Sequence, residues 1–541
     1  MSAGGGGDIS QSASGGGRSR ARAGANRQGA EPSPFGGKRI TLAATGLGLF
    51  MIFLDAMVVN VALPDIQHDF GGGESDLQWI VAAYTLAMAV SIMTAAAIAD
   101  RYGRRRIYIV SLVVFTLASG ACGSAQGTPY LVGARAVQGA AAAAVNVASL
   151  ALVSAAFPDA KVKAKAIGLW TAVATLGLAL GPTVGGVLTE EVGWRSVFLV
   201  NVPIGILAVV LTVVGVQESR DPRPRSLDWP GQALFVVGFG ALCYALIQAP
   251  QDGWGSPLIL GLFAVAAVAL TGLVLYELRA EQPMMDVRLF ARPTYATALV
   301  IVFAALAGGY GMLLVVTQYF QNVQGYSPLL AGLLMLGFSL PSPFTSVLEG
   351  SIVERVGPRP PSLVGVASVA IGLTVIAATI GVTIVGLEVG LVLMGVGLGL
   401  SIPATTGIAM ASVPDDRAGM ASGMLSAQRG LGSTVGFAVM GSIVALWLGS
   451  HLGAALEPTI PNPAARDRVV AAISDSASPS AHPGIAPASP LSDEVAAAAD
   501  DVFADGSRVA LLVGAVGAAC AFGVGWRYLP RREPDPEVGD P

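Results

Sequence analysis

Fourteen continuous apolar stretches, each long enough to cross a bilayer as a helix, constrain this chain more than any other feature. They fall at 40–63, 78–98, 107–126, 130–152, 166–188, 197–216, 231–249, 257–276, 295–317, 328–349, 361–380, 385–408, 420–448 and 509–526. A hydrocarbon core about 30 Å thick takes about 20 residues of helix. The stretches do not alternate polar with apolar, which argues against a transmembrane β-barrel. Hydrophobic residues are 53% of the 541 and charged residues only 12%, about half the charged share of a soluble domain. A soluble chain of this make-up could not cover its own surface. The expected fold class is an all-α polytopic membrane protein with 14 transmembrane helices.

Basic residues orient such a chain, because Lys and Arg collect on the cytoplasmic side. With the N-terminus inside, 25 of the 31 fall in cytoplasmic segments and four (Arg195, Arg466, Arg468, Arg508) outside. Both termini are therefore expected in the cytoplasm. Residues 1–38, rich in Gly, Ser and Arg, read as a disordered tail, and 530–541 as a second cytoplasmic tail. The chain also repeats: Asp100-Arg101-Tyr102-Gly103-Arg104-Arg105 returns as Glu354-Arg355-Val356-Gly357-Pro358-Arg359, with acid, Arg, Gly and Arg in the same register. Two six-helix halves follow, 39–217 and 293–529, with two helices (228–278) inserted between them. Paired halves around a central cavity are the architecture of alternating-access transporters. The segment 449–506, rich in Ala, Pro, Ser and Asp, reads as a flexible extracellular excursion with room for one short helix.

Of 31 basic and 35 acidic residues, only Asp55, Arg135, Glu349, Glu388 and Arg429 lie within the apolar windows. A charge at a helix centre costs about 2.5–3.5 kcal/mol on insertion scales. Glu349 is expected to close its helix at the cytoplasmic face, and Glu388 to begin one near the outer face. Arg429 can snorkel inward. Asp55 lies too deep and is too short for that, and Arg135 reaches the same depth from the fourth helix. Pairing would offset part of the desolvation cost. Burial favours a neutral carboxyl and an adjacent guanidinium favours the carboxylate, so the pair reads either as a static brace or as a proton carrier set by its partner.

No Gly-x-x-x-x-Gly-Lys-Ser/Thr occurs, so no phosphate-cradling ATPase loop is encoded. Gly395, Gly397, Gly399, Gly430 and Gly432 lie in apolar windows and read as close-packing sites. The three histidines sit in loops and the three cysteines (Cys122, Cys243, Cys520) are scattered, so neither a metal centre nor a disulfide framework is expected. No enzyme constellation is present. An active carrier without nucleotide must use an ion gradient, and one proton crossing 100 mV supplies about 2.3 kcal/mol, enough for about a fortyfold concentration ratio.

The motifs resemble the major facilitator superfamily, and within it the 14-helix drug:proton antiporters, from about residue 40 to 530. Leu54 to Pro64 (LDAMVVNVALP) is similar to the first-helix signature, and Ala97 to Ile107 (AIADRYGRRRI) to the loop between helices 2 and 3, although Ala96 stands where the family usually has glycine. Leu131 to Gly139 (LVGARAVQG) resembles the helix-4 motif, with Arg135 at the arginine tied to proton movement. Gly177 to Gly186 (GLALGPTVGG) resembles the helix-5 antiporter motif. Trp194 to Phe198 with Asn201-Val202-Pro203, and Gly325-Tyr326-Ser327-Pro328, resemble further hallmarks. Met420 to Gly436 resembles actinobacterial exporters of the tetracycline and spectinomycin type.

The resemblance implies proton coupling at Asp55 and Arg135. It implies a cytoplasmic gate of Asp100, Arg101, Gly103, Arg104, Arg105, Glu354, Arg355, Gly357 and Arg359. Gly177, Gly181, Pro182, Gly185 and Gly186 would form a bendable, close-packing helix. Glu349, Glu388 and Arg429 are candidate secondary sites, and Asn60, Gln138 and Asn146 candidate cavity lining. The expected function is proton-coupled export of amphiphilic drugs or antibiotics from the cytoplasm. An exporter of an endogenous lipid or secondary metabolite is the alternative, ahead of proton-symport uptake and a non-transporting sensor. Expected partners are small amphiphiles, protons and membrane lipids, without nucleic acid, metal or cofactor. The expected setting is a monomer in the bacterial plasma membrane.

Overall fold

A computed structural model describes residues 37–71, 73–157, 159–220, 228–280, 283, 285–413, 418–476 and 490–530. The tails expected over 1–36 and 531–541, and the orienting charges Arg223, Arg225 and Arg417, lie outside the described residues. Among the described residues, fourteen helices have the length and apolarity to cross a membrane. They are α1 (Gly37–Phe70), α2 (Ser75–Tyr102), α3 (Arg104–Gly123), α4 (Thr128–Ala156), α5 (Ala166–Glu191), α6 (Ser196–Gly215), α7 (Trp229–Pro250) and α8 (Pro257–Glu277). The series continues with α9 (Pro293–Val323), α10 (Pro328–Val356), α11 (Arg359–Thr379), α12 (Ile384–Ala411), α13 (Gly423–Ala455) and α14 (Glu494–Tyr528). The chain is thus a multi-pass membrane protein. Below, the basic face is the end bearing Gly103 and Gly357, and the distal face is the end bearing Gly71, Gly193 and Gly325.

The helices start and stop where local chemistry dictates. The Ser256 hydroxyl accepts from the Ile259 amide and opens α8, and Ser327 does the same for α10 through Leu330, each satisfying one orphan donor of a first turn. Gly103 and Gly357, equivalent positions of the repeat, both end a helix with φ of +111° and +80°, a region that costs an L-residue about 1–2 kcal/mol. The repeat therefore has a backbone cause.

The same repeat pairs helices within each half. Arg105 donates Nη2 to the Val213 carbonyl near the end of α6 at 2.8 Å. Arg359, its counterpart, donates Nη2 to the Trp526 carbonyl near the end of α14 at 2.5 Å. In both halves an arginine at the start of the third helix meets the unsatisfied carbonyls, and partial negative charge, at the end of the sixth.

The inserted helices pack on each other and cover the seam between α2 and α13. Gln232 of α7 donates Nε2 to the Val90 carbonyl of α2 at 2.6 Å, and the Ser442 hydroxyl of α13 donates to the Leu246 carbonyl of α7 at 2.5 Å.

Two expectations change. The segment 449–506 is largely helical where described: the helix containing α13 runs to Ala455, a separate helix spans Pro463–Ser476, and the one containing α14 begins at Pro490. Leu448, Leu452 and Leu456 pack with Ile473, Val495, Ala499 and Val502 in a small apolar core, so an apolar stripe with helical spacing overrides an Ala/Pro/Ser composition. Residues 477–489 of that segment lie outside the description. Second, α10 continues seven residues past Glu349, so this glutamate does not close the helix at the face but lies buried on it, at 7% exposure.

Candidate functional site

The apolar helices bring one fully enclosed polar cluster together. Gly139 makes this possible: a Cβ there would lie 2.2 Å from the Tyr84 carbonyl oxygen, so only glycine lets α4 and α2 approach so closely. One turn away, Arg135 projects from α4 toward α1 and meets Asp55. The guanidinium Nη1 lies 2.5 Å from one carboxylate oxygen, with the two residues 1% and 0% exposed.

The remaining valences are filled by neutral amides. Asn201, in the second turn of α6, donates Nδ2 to the other Asp55 oxygen at 2.7 Å. Gln138 donates Nε2 to the same oxygen at 3.0 Å, while its Oε1 accepts from Arg135 Nη1 at 2.7 Å. The Ser119 hydroxyl of α3 accepts from Gln138 and Asn201, each at 3.0 Å, and donates to the Phe198 carbonyl at 2.8 Å. Arg135 also donates Nε to the Ile80 carbonyl at 3.2 Å, and its guanidinium lies 4.1 Å from the Tyr84 ring centroid. Such a cation–π contact stabilises a desolvated guanidinium by about 2 kcal/mol. Asp55 therefore accepts three N–H donors in a site closed to solvent, and five helices contribute to holding one carboxylate.

Of the expected residues, Asp55, Arg135 and Gln138 meet here. Asn60 does not: its Nδ2 turns back to the Ala56 and Met57 carbonyls of its own helix. Asn146 lies partly exposed on α4, two turns from the cluster. Asn201, Ser119 and Tyr84 were not singled out from the sequence as site residues. Neutral polar side chains are common in membrane helices and carry no charge penalty to flag them; the signal for Asn201 was its place in a recognisable motif.

The helix-5 motif has two working faces. Cβ atoms built on Gly177, Gly181 and Gly185 would meet Phe50 O at 2.6 Å, Met57 Cβ at 2.3 Å and Val58 O at 2.6 Å, all on α1. One on Gly186 would meet Pro328 O at 2.5 Å, across the seam on α10. Gly332 of α10 in turn abuts the Pro182 carbonyl, at 2.3 Å from its built Cβ. α5 thus slots between the helix carrying Asp55 and the opposite half.

The halves are joined from the distal face to mid-bilayer. Gln321 donates to the Val61 carbonyl at 2.8 Å, the Leu329 amide to Glu190 at 3.0 Å, and Ser339 to the Ala179 carbonyl at 2.9 Å, while the Thr85 and Thr434 hydroxyls pair at 2.7 Å. On the basic face, Asp100 pairs with Arg104 of its own loop at 2.8 Å. Arg101 lies 5.8 Å from the Tyr102 ring, and Glu354 and Arg355 are exposed. Glu218, overlooked in the sequence because it follows a helix, accepts from the Arg105 and Arg106 amides at 3.0 and 3.3 Å and caps α3.

The secondary charged residues remain apart from the cluster. Glu388 lies half-buried on α12, where it would meet a Cβ built on Gly337 of α10. Arg429 donates Nη2 to the Thr406 hydroxyl of α12 at 2.8 Å. Among the described residues no group of three or more His, Cys, Asp or Glu could hold a metal ion, and Cys122, Cys243 and Cys520 are free thiols.

Residues 45–437 match the Major Facilitator Superfamily. The chain is 50% identical over 495 residues to a "Multidrug resistance protein Stp" of Mycobacterium tuberculosis, covering 91% of this chain and 92% of that one. It is 42% identical over 500 residues to a "Drug efflux pump JefA" of the same species, covering 91% and 98%. A "Methylenomycin A resistance protein" of Streptomyces coelicolor is 34% identical over 420 residues, covering 76% and 88%. Among solved structures, a bacterial homologue of the lysosomal transporter Spinster superposes with a TM-score of 0.63 at 17% identity, covering 90% of this chain and 96% of that one, a likeness of fold.

Proposed function

The chain belongs to the major facilitator superfamily, a family of transporters rather than enzymes, and from that premise we propose that it exports amphiphilic drugs or antibiotics in exchange for protons. The cargo class follows relatives named for multidrug resistance, drug efflux and antibiotic resistance at 34–50% identity. The coupling rests on one observation: a carboxylate with 0% exposure, ion-paired and hydrogen-bonded, in the middle of a membrane-spanning half.

The geometry suggests the cycle. With the distal face closed, Asp55 is held as a carboxylate by three donors and is out of contact with water. Opening that face slides α5 along α1 on its glycine face and loosens the cluster. Asp55 then takes a proton from outside, its charge is lost, and Arg135 is left to Gln138 and the Ile80 carbonyl. Return to the distal-closed form restores the pair and expels the proton inward. Cargo occupies the cavity between the halves when that cavity opens to the basic face. The arginine distribution favours the basic face as the cytoplasmic one, with both termini on that side, and the bacterial relatives favour a bacterial plasma membrane.

No cofactor takes part; the proton gradient is the energy source. Cells expressing the protein should hold less of a fluorescent amphiphile than control cells, and a protonophore should erase the difference within minutes while cellular ATP is held constant. Efflux that persists after the gradient collapses would overturn the coupling.

A further inference from the structure

A groove of about 930 Å³ runs down the lipid-facing side of the C-terminal half, between α11 and α14. Arg359 and Arg527 stand at its mouth on the basic face; Leu363, Ala367 and Ile371 line one wall and Trp526 the other. From Arg359 to Ile371 the wall spans about 18 Å at 1.5 Å per residue, close to one leaflet of a bilayer whose core is about 30 Å. Among the described residues that line the groove, the charge is all at one end and positive, with no acidic side chain. Its one interior hydroxyl, Ser368, is already engaged with the Leu393 carbonyl at 2.8 Å. Trp526 and Tyr528 are 64% and 50% exposed beside the arginines, at the level where amphipathic rings anchor in headgroups.

We infer that this groove is a binding site for one anionic phospholipid, its phosphate between Arg359 and Arg527 and an acyl chain along the α11 wall. A zwitterionic headgroup would bring a cation toward two guanidiniums and is disfavoured. A free phosphate would leave the apolar wall unused. The site has a mechanical consequence. Arg359 already ties α11 to the end of α14 through the Trp526 carbonyl, with its guanidinium 5.7 Å from that ring, and a phosphate would add a second tie across the same joint. The inference does not depend on the cargo or on proton coupling.

Native mass spectrometry of the full chain, purified and offered equal phosphatidylglycerol and phosphatidylcholine, tests it. One phosphatidylglycerol should be retained preferentially, and inorganic phosphate at millimolar concentration should not displace it. Arg527→Gln should cut the preference about fivefold, the worth of one basic residue near an anionic membrane surface, and Arg527→Lys should keep it. Ala367→Phe, which fills the wall, should remove the retained lipid. Arg468→Gln, on the distal face, should change nothing. Equal retention of the two lipids would overturn the proposal, as would displacement by free phosphate or a preference unchanged in both groove variants.

Discussion

The Asp55–Arg135 pair can be a brace, a proton carrier or both, and a double-mutant cycle separates these roles. Asp55→Leu leaves a guanidinium at 1% exposure with only the Gln138 and Ile80 oxygens as acceptors. Breaking one side of a buried pair costs about 3–5 kcal/mol, which is about two to three and a half decades in the folding equilibrium. Arg135→Met leaves the carboxylate with two amide donors, Gln138 and Asn201, and should fall at the low end of that range. The double variant removes both charges. The two amides lose Asp55 as in the single variant and keep Ser119, while the desolvation of the unpaired guanidinium is regained, so the double variant should be more stable than Asp55→Leu. Unfolding in micelles measures the stabilities, and drug accumulation in proteoliposomes under a pH gradient measures coupling. The expected pattern is partial recovery of stability without transport. Gradient-driven transport by the double variant would refute the coupling role; full stability of Asp55→Leu would refute the energetic reading.

Three further outcomes follow from particular contacts. Gly186→Val places atoms against the Pro328 carbonyl, where even a Cβ sits at 2.5 Å; overpacking of about 1–3 kcal/mol should disfavour distal closure about fivefold or more, seen as a longer α5–α10 distance between spin labels. Gly103→Ala must adopt a φ of +111° beside the Glu218 carboxylate, 2.8 Å from its Cβ, and should lose about 1–2 kcal/mol of thermal stability; an unchanged melting curve would contradict the backbone explanation of the repeat. Asn201→Leu removes a 2.7 Å bond to Asp55 and a 3.0 Å bond to Ser119 and should lower both stability, by about 1–3 kcal/mol, and proton-coupled efflux. Normal values of both would exclude Asn201 from the site.

Much of this was legible in the sequence because lipid is an unforgiving solvent. Fourteen apolar runs had to be helices, and a deep Asp55 had to find a cation of matching depth, which left Arg135 as its partner. What was not legible depended on proximity between distant segments. Asn201 reaches Asp55, and Ser119 the amides around it, only after α3 and α6 pack beside α1, and nothing in a neutral amide or hydroxyl announces that. Glu218 lay just beyond a helix end and looked like one more surface charge, yet it caps α3 from 113 residues away along the chain. The 449–506 segment misled through its composition, although Leu448, Leu452 and Leu456 already carried the four-residue spacing of a buried helical stripe.

The most direct test loads proteoliposomes with an acidic lumen and a trapped pH dye, adds a fluorescent amphiphilic drug outside, and follows drug and protons together. Drug should accumulate as protons leave the lumen, each flux should stop when the other substrate is withdrawn, and Asp55→Asn should abolish both. Drug movement indifferent to the gradient, drug and protons moving in the same direction, or full exchange by Asp55→Asn would contradict the account.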